Sequence, residues 1–261
     1  MRIIHTIVNK YNFNQLDVPK NKPTLLHVID SLDLDKARHL AEFTHKLELV
    51  RDEPLKDDFY LRLDKLGLAV ISSLFGPLYI SEIYAKLAVR YQNLRNELII
   101  QAVNSPKSFS IWDLTAGLGR DAFILASFGY SVIMVEQNPV LATILHYALE
   151  NNIIPRRNLN LVYANSLEFI QSQAILPNII YLDPMFRDNK TAKAKKDMQL
   201  IGHLTNNLPD QNQESLFVSS YTKAVNKVVV KRDNKQSNII LAPLPSYTKI
   251  GKTIRFDVYV K

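Results

Sequence analysis

The sequence contains no cysteine, which excludes disulfide bonds, thiolate metal sites and a cysteine nucleophile. It also has no apolar run of about 18–20 residues, the length that a membrane-spanning helix needs. The first residues mix polar and apolar side chains without a continuous hydrophobic stretch, which argues against a secretory signal. From these absences we expect a cytoplasmic protein that does not enter a membrane.

Metal-binding and hydrolase signatures are missing as well. The six histidines are scattered, and no pair of them has metal-ligand spacing with a third ligand nearby. The glycine-flanked serine of the serine hydrolases is absent. We therefore expect no metal site and no hydrolytic triad.

The bulk composition indicates a folded, basic protein. Apolar residues make up 47% of the 261 residues, enough for a sizeable buried core. The formal net charge is +7 and the isoelectric point about 9.4. Such an excess of positive charge favours polyanionic partners such as nucleic acid, although a lysine-rich surface that only aids solubility is the alternative.

Strand-like and helical segments alternate regularly in the second part of the chain. Six strands are predicted there, at Phe109–Leu114, Tyr130–Val135, Leu159–Tyr163, Asn178–Leu182, Val228–Lys231 and Thr253–Val260. Helices between them indicate a mainly parallel sheet covered on both faces. The preceding part mixes strands with helices, including one long helix predicted over Ser81–Val103. We predict an N-terminal α/β extension at residues 1–105 and an α/β core at residues 106–261.

Ligands of parallel sheets bind at the carboxyl ends of the strands, so these ends are where chemistry is expected. The first core strand runs into a turn that holds two of the seven glycines, Gly117 and Gly119. The second ends at Glu136, 23 positions after Asp113. An acid about 20 residues past a glycine turn can accept hydrogen bonds from both ribose hydroxyls of a nucleoside. We predict that Glu136 binds a ribose.

Two further strand ends carry polar side chains. After the third strand, Asn165 and Ser166 could contact an adenine amine or cap the following helix, and both roles can hold together. After the fourth strand come Asp183, Pro184 and Phe186. A carboxylate and a carbonyl here can orient the weakly nucleophilic amine of a nucleobase, while the aromatic ring offers a face for a flipped base. We predict these three as catalytic residues.

The residues at these strand ends resemble the bacterial ribosomal small-subunit methyltransferase J family. The resemblance is carried by the segments Asp113–Asp121 (DLTAGLGRD), Glu136–Pro139 (EQNP) and Tyr181–Phe186 (YLDPMF). Three flanking segments agree with it: Leu47–Pro54, Val228–Arg232 and Arg255–Tyr259. Gln137 stands where the family commonly has arginine, and Asn165 where it commonly has serine.

This resemblance implies a Rossmann-like class I methyltransferase with a mainly parallel seven-stranded sheet, and a substrate-contacting N-terminal extension. The implied reaction transfers a methyl group from S-adenosylmethionine (SAM) to the exocyclic N2 of a guanine in 16S ribosomal RNA. The partner would be that RNA or the small ribosomal subunit. The implied cofactor-binding residues are Asp113, Ala116, Gly117, Gly119, Arg120, Asp121, Glu136, Gln137, Asn165, Ser166 and Asp183. We predict phosphate contacts for Lys190, Lys193, Lys195, Lys196, Lys231 and Arg232.

Three other functions remain open at the level of the sequence. An NAD-dependent oxidoreductase would need a third glycine where Ala122 stands, and the Asp183 turn would have no role. A SAM-dependent methyltransferase could instead act on a small molecule, against which the charge argues, or on another nucleic-acid base amine. A non-catalytic RNA-binding assembly protein would not require Asp183 or the glycine turn.

Overall fold

The computed structural model describes residues 24–29, 34–52, 60–72, 75–85, 87–156, 158–184, 213–236 and 243–261. Two sheets organise this part of the chain. The smaller sheet contains β1 (Thr24–Val28), β2 (Leu47–Val50), β3 (Tyr60–Asp64), β4 (Gly67–Ser72) and β5 (Phe75–Tyr79) in the order β2-β1-β3-β4-β5. Strand β1 is parallel to β2 and β3, and the remaining neighbours are antiparallel.

The larger sheet has seven strands. They are β6 (Ser110–Asp113), β7 (Ser131–Glu136), β8 (Leu159–Tyr163), β9 (Ile179–Leu182), β10 (Lys227–Asp233), β11 (Tyr247–Ile250) and β12 (Ile254–Val260). Their order is β11-β12-β10-β9-β6-β7-β8, parallel from β8 to β10 and antiparallel at β12 and β11. This confirms the predicted fold class. The strand order reverses around β6, so the crevice beside the end of β6 is the expected ligand position.

The described helices are α1 (Leu34–Thr44), α2 (Ile80–Ala85), α3 (Leu87–Arg90), α4 (Leu98–Val103), α5 (Arg120–Phe128), α6 (Pro139–Glu150), α7 (Ser166–Ser172) and α8 (Gln213–Lys223). Helices α1 and α2 contact strands of the smaller sheet, whereas α4 to α8 contact strands of the larger sheet and cover both of its faces. Alternate residues of a strand point to opposite faces. Accordingly, Ile111 packs in the apolar cluster of α4, α5 and α6, while Trp112 packs in the cluster of α7 and α8.

The first of these clusters is continuous with the smaller sheet. It contains Leu26 and Leu61 of the smaller sheet together with Ile144 of α6, all fully buried. Helix α1 also packs against α6. The two sheets therefore share buried apolar side chains, and the boundary predicted near residue 105 stays a prediction.

The prediction of one long helix over Ser81–Val103 is wrong. The segment contains α2, α3, a 3₁₀ helix at Tyr91–Asn96 and α4. Asn93 has φ −147° and ψ 61°, and Glu97 has an extended backbone with ψ 125°. The apolar period continues through these breaks, because each short helix still turns one face to the core. Arg90 then bonds across the break to Glu97 through two short hydrogen bonds of 3.0 and 2.6 Å.

Candidate active site

The carboxyl ends of β6, β7, β8 and β9 lie next to one another at one edge of the larger sheet. Backbone hydrogen bonds tie the loops that follow them: Ala116 N donates to Val135 O, Leu114 N to Tyr181 O and Ala164 N to Glu136 O. The strand ends that the sequence singles out are therefore brought together. This edge is the candidate active site.

The turn after β6 depends on its two glycines. Gly117 and Gly119 have φ of +56° and +65°, a region that L side chains rarely adopt. A Cβ at Gly119 would lie 2.7 Å from the Leu145 side chain and 3.0 Å from the Met134 sulfur. At Gly117 the nearest atom to such a Cβ would be the Thr115 carbonyl oxygen, at 3.9 Å. Gly119 thus serves close packing, whereas Gly117 leaves open space at the rim.

Glu136 lies at the end of β7 with 7% of its surface exposed. Its Oε2 accepts a hydrogen bond from Gly117 N, and its Oε1 accepts one from Asn138 N, both at 2.7 Å. Burial raises the pKa of the Glu136 carboxyl to about 7, although the backbone N–H groups oppose that shift. A carboxylate that changes charge near neutral pH therefore faces the glycine turn.

The end of β8 carries both a helix cap and a side-chain amide pair. Asn165 Oδ1 accepts hydrogen bonds from Leu167 N and Glu168 N, so Asn165 is the N-cap of α7. Its Nδ2 donates to Gln137 Oε1 at 3.0 Å. Ser166 is buried and donates to the Leu114 carbonyl oxygen at 2.5 Å. Asn165 therefore caps the helix, which is one of the two roles that the sequence allowed. Its hydrogen bond to Gln137 also places polar amide atoms beside Glu136.

Asp183 and Pro184 follow β9 on the other side of β6. The backbone N–H of Asp183 donates to Thr115 Oγ1 at 2.6 Å, which fixes the start of this turn against the glycine turn. The Asp183 side chain keeps 33% of its surface exposed and accepts a 2.8 Å hydrogen bond from Lys231 Nζ. Burial raises the pKa of Asp183, Lys231 opposes this shift, and the carboxylate of Asp121 supports it.

Lys231 also binds Asp121, which begins the helix after the glycine turn. The Nζ–Oδ2 distance is 2.8 Å, and Tyr181 donates to the same oxygen at 2.8 Å. Arg90 approaches the second Asp121 oxygen at 3.7 Å. Burial alone would raise the pKa of Asp121, but the Lys231 ammonium, the Tyr181 hydroxyl and the Arg90 guanidinium lower it. Asp121 is therefore held as a carboxylate.

A cavity of about 570 Å³ opens beside this ion network. It lies between the 3₁₀ helix, the start of α4 and the ends of β10 and β12. Polar lining side chains are Arg90, Asn93, Asn96, Glu97, Asp121 and Lys231. This volume is sufficient for part of a nucleotide-sized ligand.

Several residues of the predicted site fall outside the described part of the chain or are buried. Phe186 and the lysines Lys190, Lys193, Lys195 and Lys196 fall outside the described residues. Arg232 has only 5% of its side chain exposed and lies near Asp257. A guanidinium buried in this way would have to move to reach a phosphate. Asp113 is also buried, and its Oδ1 accepts a hydrogen bond from Thr115 N at 3.1 Å, so it orders the turn from within.

Three residues of the site were not singled out from the sequence: Thr115, Tyr181 and Arg90. Tyr181 reads as an ordinary strand residue, and its hydroxyl meets Asp121 only because β9 and α5 pack together. Thr115 lies inside the glycine turn, where a hydroxyl gives no separate signal. Arg90 falls in the segment that was predicted as a continuous helix.

In the part of the chain that the structure describes, no group of three or more His, Cys, Asp or Glu residues could hold a metal ion. Among the same residues, no helix has the length and apolar character to cross a membrane.

Comparison with known proteins identifies the family. The SAM-dependent methyltransferase family model SAM_MT matches residues 42–261. The crystal structure of a SAM-dependent methyltransferase from Neisseria gonorrhoeae superposes with a TM-score of 0.70 and 26% identity, covering 91% of this chain and 96% of that one. These two matches agree with the mainly parallel, Rossmann-like architecture of the larger sheet.

Sequence relatives carry a more specific name. The ribosomal RNA small subunit methyltransferase J of Coxiella burnetii is 36% identical over 196 residues, 71% of this chain and 75% of that protein. The protein of the same name from Pseudomonas syringae is 33% identical over 251 residues, 88% of this chain and 90% of that protein. The chain therefore belongs to the ribosomal RNA small subunit methyltransferase J family of SAM-dependent methyltransferases.

Proposed function

We propose that this protein transfers a methyl group from SAM to the exocyclic N2 of a guanine in the 16S RNA of the small ribosomal subunit. The observation that carries the proposal is the convergence of Glu136, the glycine turn and Asp183 on one edge of the sheet. The names of the relatives support the ribosomal substrate. Guanine N2 as the acceptor rests on the family resemblance of the Asp183–Phe186 turn.

The residues on this edge fit the nucleoside part of SAM. Glu136 is a buried carboxylate at the end of β7, the position from which an acid reaches ribose hydroxyls. Gly117 leaves the space of a missing side chain open next to it. Gln137 and Asn165 add amide groups that can bind the edge of an adenine. Arg120 and Asp121 at the start of α5 would hold the charged amino-acid end of the cofactor.

When bound, SAM supplies an electrophilic methyl group on a positively charged sulfur. Asp183 would accept hydrogen bonds from the acceptor amine and orient its lone pair, with the Pro184 carbonyl as a second acceptor. After transfer of the methyl group from sulfur to nitrogen, the amine nitrogen has one proton too many, and the Asp183 carboxylate would take it. Correct positioning of two bound reactants can lower a barrier by several kcal/mol. Stacking of the flipped base on Phe186 is part of the proposal.

Positive charge supports RNA as the substrate. The net charge of +7 favours binding to a polyanion through release of counterions. The four lysines between Lys190 and Lys196 follow directly after the Asp183 turn in sequence, where they can contact phosphates around the target base. Arg232 is not part of this proposed surface, because it is buried. A cytoplasmic location follows from the substrate and is proposed with it.

The proposal is tested by mapping methylated guanines in ribosomal RNA from cells with and without this gene. We expect one N2-methylguanine of the small subunit to disappear when the gene is deleted. The intact gene should restore it, and an Asp183→Ala variant that still binds SAM should not. Restoration by Asp183→Ala would remove Asp183 from the chemistry.

The other functions give different results in the same experiment. If deletion of the gene removes a different methylated base, the protein is a SAM-dependent methyltransferase that acts on another base amine. An unchanged methylation map with defective small subunits would indicate a non-catalytic assembly protein. In a thermal-shift measurement, we expect stabilisation by SAM and none by NAD, which separates a methyltransferase from an oxidoreductase.

A further inference from the structure

Lys231 connects the two carboxylates that flank the end of β6. Its Nζ lies 2.8 Å from Asp121 Oδ2 and 2.8 Å from Asp183 Oδ2, and 23% of its side chain is exposed. Asp121 is 110 residues from Lys231 along the chain and Asp183 is 48 residues from it. One ammonium group thus joins the start of α5, the turn after β9 and strand β10.

We propose that Lys231 is a positioning residue, which keeps Asp183 ionised and aimed at the acceptor amine and couples it to Asp121. This inference rests on the proposed function in one respect, the assignment of Asp183 as the group that orients the amine. It replaces, for Lys231, the predicted contact with an RNA phosphate.

The geometry favours the bridge over a phosphate contact. An ammonium group has three donors, and two of the Lys231 donors are used by carboxylates at 2.8 Å. A move toward RNA would leave two neighbouring, partly buried carboxylates without their shared cation. Breaking such a partly buried pair is costly, because the remaining charge loses its partner away from water.

The surrounding charges show why a cation is needed at this position. Asp121, Asp183 and Glu97 are negative, and Lys231 and Arg90 are positive, so the network carries one net negative charge. The buried Asp113 and the hydroxyl of Tyr181 face the same carboxylates. Without Lys231, Asp121 and Asp183 would repel each other, and this repulsion would raise the pKa of the pair.

The ionisation of the three groups follows the same pattern. Burial alone would lower the pKa of Lys231, but Asp121 and Asp183 raise it above its ordinary value. The ammonium group therefore remains charged at neutral pH. In return its positive charge opposes the rise that burial causes in the pKa of Asp183, and so favours the ionised carboxylate that can accept a proton from the amine.

The first test measures kcat between about pH 5.5 and 9 at saturating SAM and saturating ribosomal RNA substrate. For Lys231→Met we expect the acid limb of the profile to move to higher pH by about one unit or more, so that kcat at a given pH on that limb falls about tenfold or more. Lys231→Arg keeps the positive charge and should retain the wild-type limb. Lys235→Met removes an exposed lysine just beyond the same strand and should leave the limb unchanged.

A phosphate contact would give the opposite result. In that case Lys231→Met would raise KM for RNA and weaken its salt dependence, while kcat at saturation and its pH profile would stay as in the wild type. That outcome would overturn the proposal.

A second measurement is independent of activity and of the proposed function. Aspartate labelled with ¹³C at the carboxyl group reports the ionisation of each side chain by NMR, with Asp121→Asn and Asp183→Asn as assignments. We expect the carboxylates of this pair to titrate at higher pH in Lys231→Met than in the wild type. In Lys231→Met/Asp121→Asn only one carboxylate of the pair remains, and Asp183 should titrate at lower pH than in Lys231→Met. Unchanged titration in the variants would contradict the bridge even if the RNA substrate proves to be another.

Discussion

The Glu136 carboxylate accepts a 2.7 Å hydrogen bond from the backbone N–H of Gly117, and this bond joins the end of β7 to the glycine turn after β6. The same carboxylate binds Asn138 N at the start of α6. A single buried side chain thereby holds the two loops between which a nucleoside would bind. Its position also makes its charge sensitive to pH near neutrality.

Nucleoside binding should depend on the ionisation of Glu136. Its pKa is raised by burial to about 7, so the ionised carboxylate that the proposed ribose contact requires is present above that pH and is protonated below it. We expect the affinity for methylthioadenosine to be about tenfold weaker at about pH 6 than at about pH 8, since about a tenth of the groups remain ionised. This ligand retains the adenine and ribose but has no group of its own that titrates in this range. Isothermal titration calorimetry gives the dissociation constants.

Two variants isolate the contribution of Glu136. Glu136→Gln should bind methylthioadenosine more weakly than the wild type at the higher pH and without pH dependence. Glu214→Gln, on α8, should keep the wild-type curve. The same pH dependence in Glu136→Gln would assign the titration to another group.

The two glycines of the turn should differ in what their substitution damages. In Gly119→Ala the new Cβ meets Leu145 and Met134 and the backbone is strained, so we expect the free energy of unfolding to fall by about 2–4 kcal/mol. In Gly117→Ala only backbone strain acts, about 1–2 kcal/mol, but the methyl group enters the open rim and should weaken SAM binding. Urea denaturation and calorimetry measure the two effects.

Gly76→Ala is the matched control for the two variants of the turn. A Cβ added at Gly76 would have no atom within 4 Å. The free energy of unfolding of Gly76→Ala should therefore differ from that of the wild type by less than about 1 kcal/mol. Equal losses of stability in Gly117→Ala and Gly119→Ala would show that the turn is not packed as described.

The packing of α1 on α6 should make the protein acid-sensitive through His146. The ring of His146 stacks on Phe43 with centroids 4.0 Å apart, and burial lowers its pKa from 6.5 to about 4. The unfolded chain therefore binds this proton more readily than the folded one. The contribution of the neutral His146 ring to the free energy of unfolding is complete above about pH 6.5, and it is lost as the pH falls toward about 4.

Thermal unfolding across this range tests the role of His146. His146→Phe keeps the stacking on Phe43. We expect its melting temperature to fall less than that of the wild type when the pH is lowered from about 6.5 to about 4. His45→Asn removes an exposed imidazole at a positive φ of 52° that asparagine tolerates, and it should follow the wild type. Parallel curves for wild type and His146→Phe would exclude His146 as the source.

Much of the core was predictable because its local signals agree. Strand β8 has the predicted bounds, and helix α6 begins at a clear local signal, because Asn138 caps it and Pro139 is its first residue. Asp113, Glu136 and Asp183 each stand at or directly after the carboxyl end of a predicted parallel strand. Their position at one edge of the sheet could therefore be inferred from the sequence. The segment before β6 was mispredicted because apolar periodicity does not register the non-helical backbone at Asn93 and Glu97.

The pairing of charges could not be predicted in the same way. Lys231 was assigned to RNA because lysines near a nucleic-acid site usually bind phosphate, and its two carboxylates lie far away in sequence. Burial of Arg232, one residue later, follows from the alternation of side chains along β10. A charged residue in a strand near the site is therefore ambiguous until the sheet face is known.

A crystal structure of the protein with S-adenosylhomocysteine would test most directly whether these strand ends form one cofactor site. We expect the ribose hydroxyls within about 2.6–3.2 Å of the Glu136 carboxylate. We also expect the adenine beside Gln137 and Asn165, and the sulfur turned toward the Asp183 turn. A ligand bound away from Glu136, or with its sulfur directed away from Asp183, would contradict a shared site at this edge of the sheet.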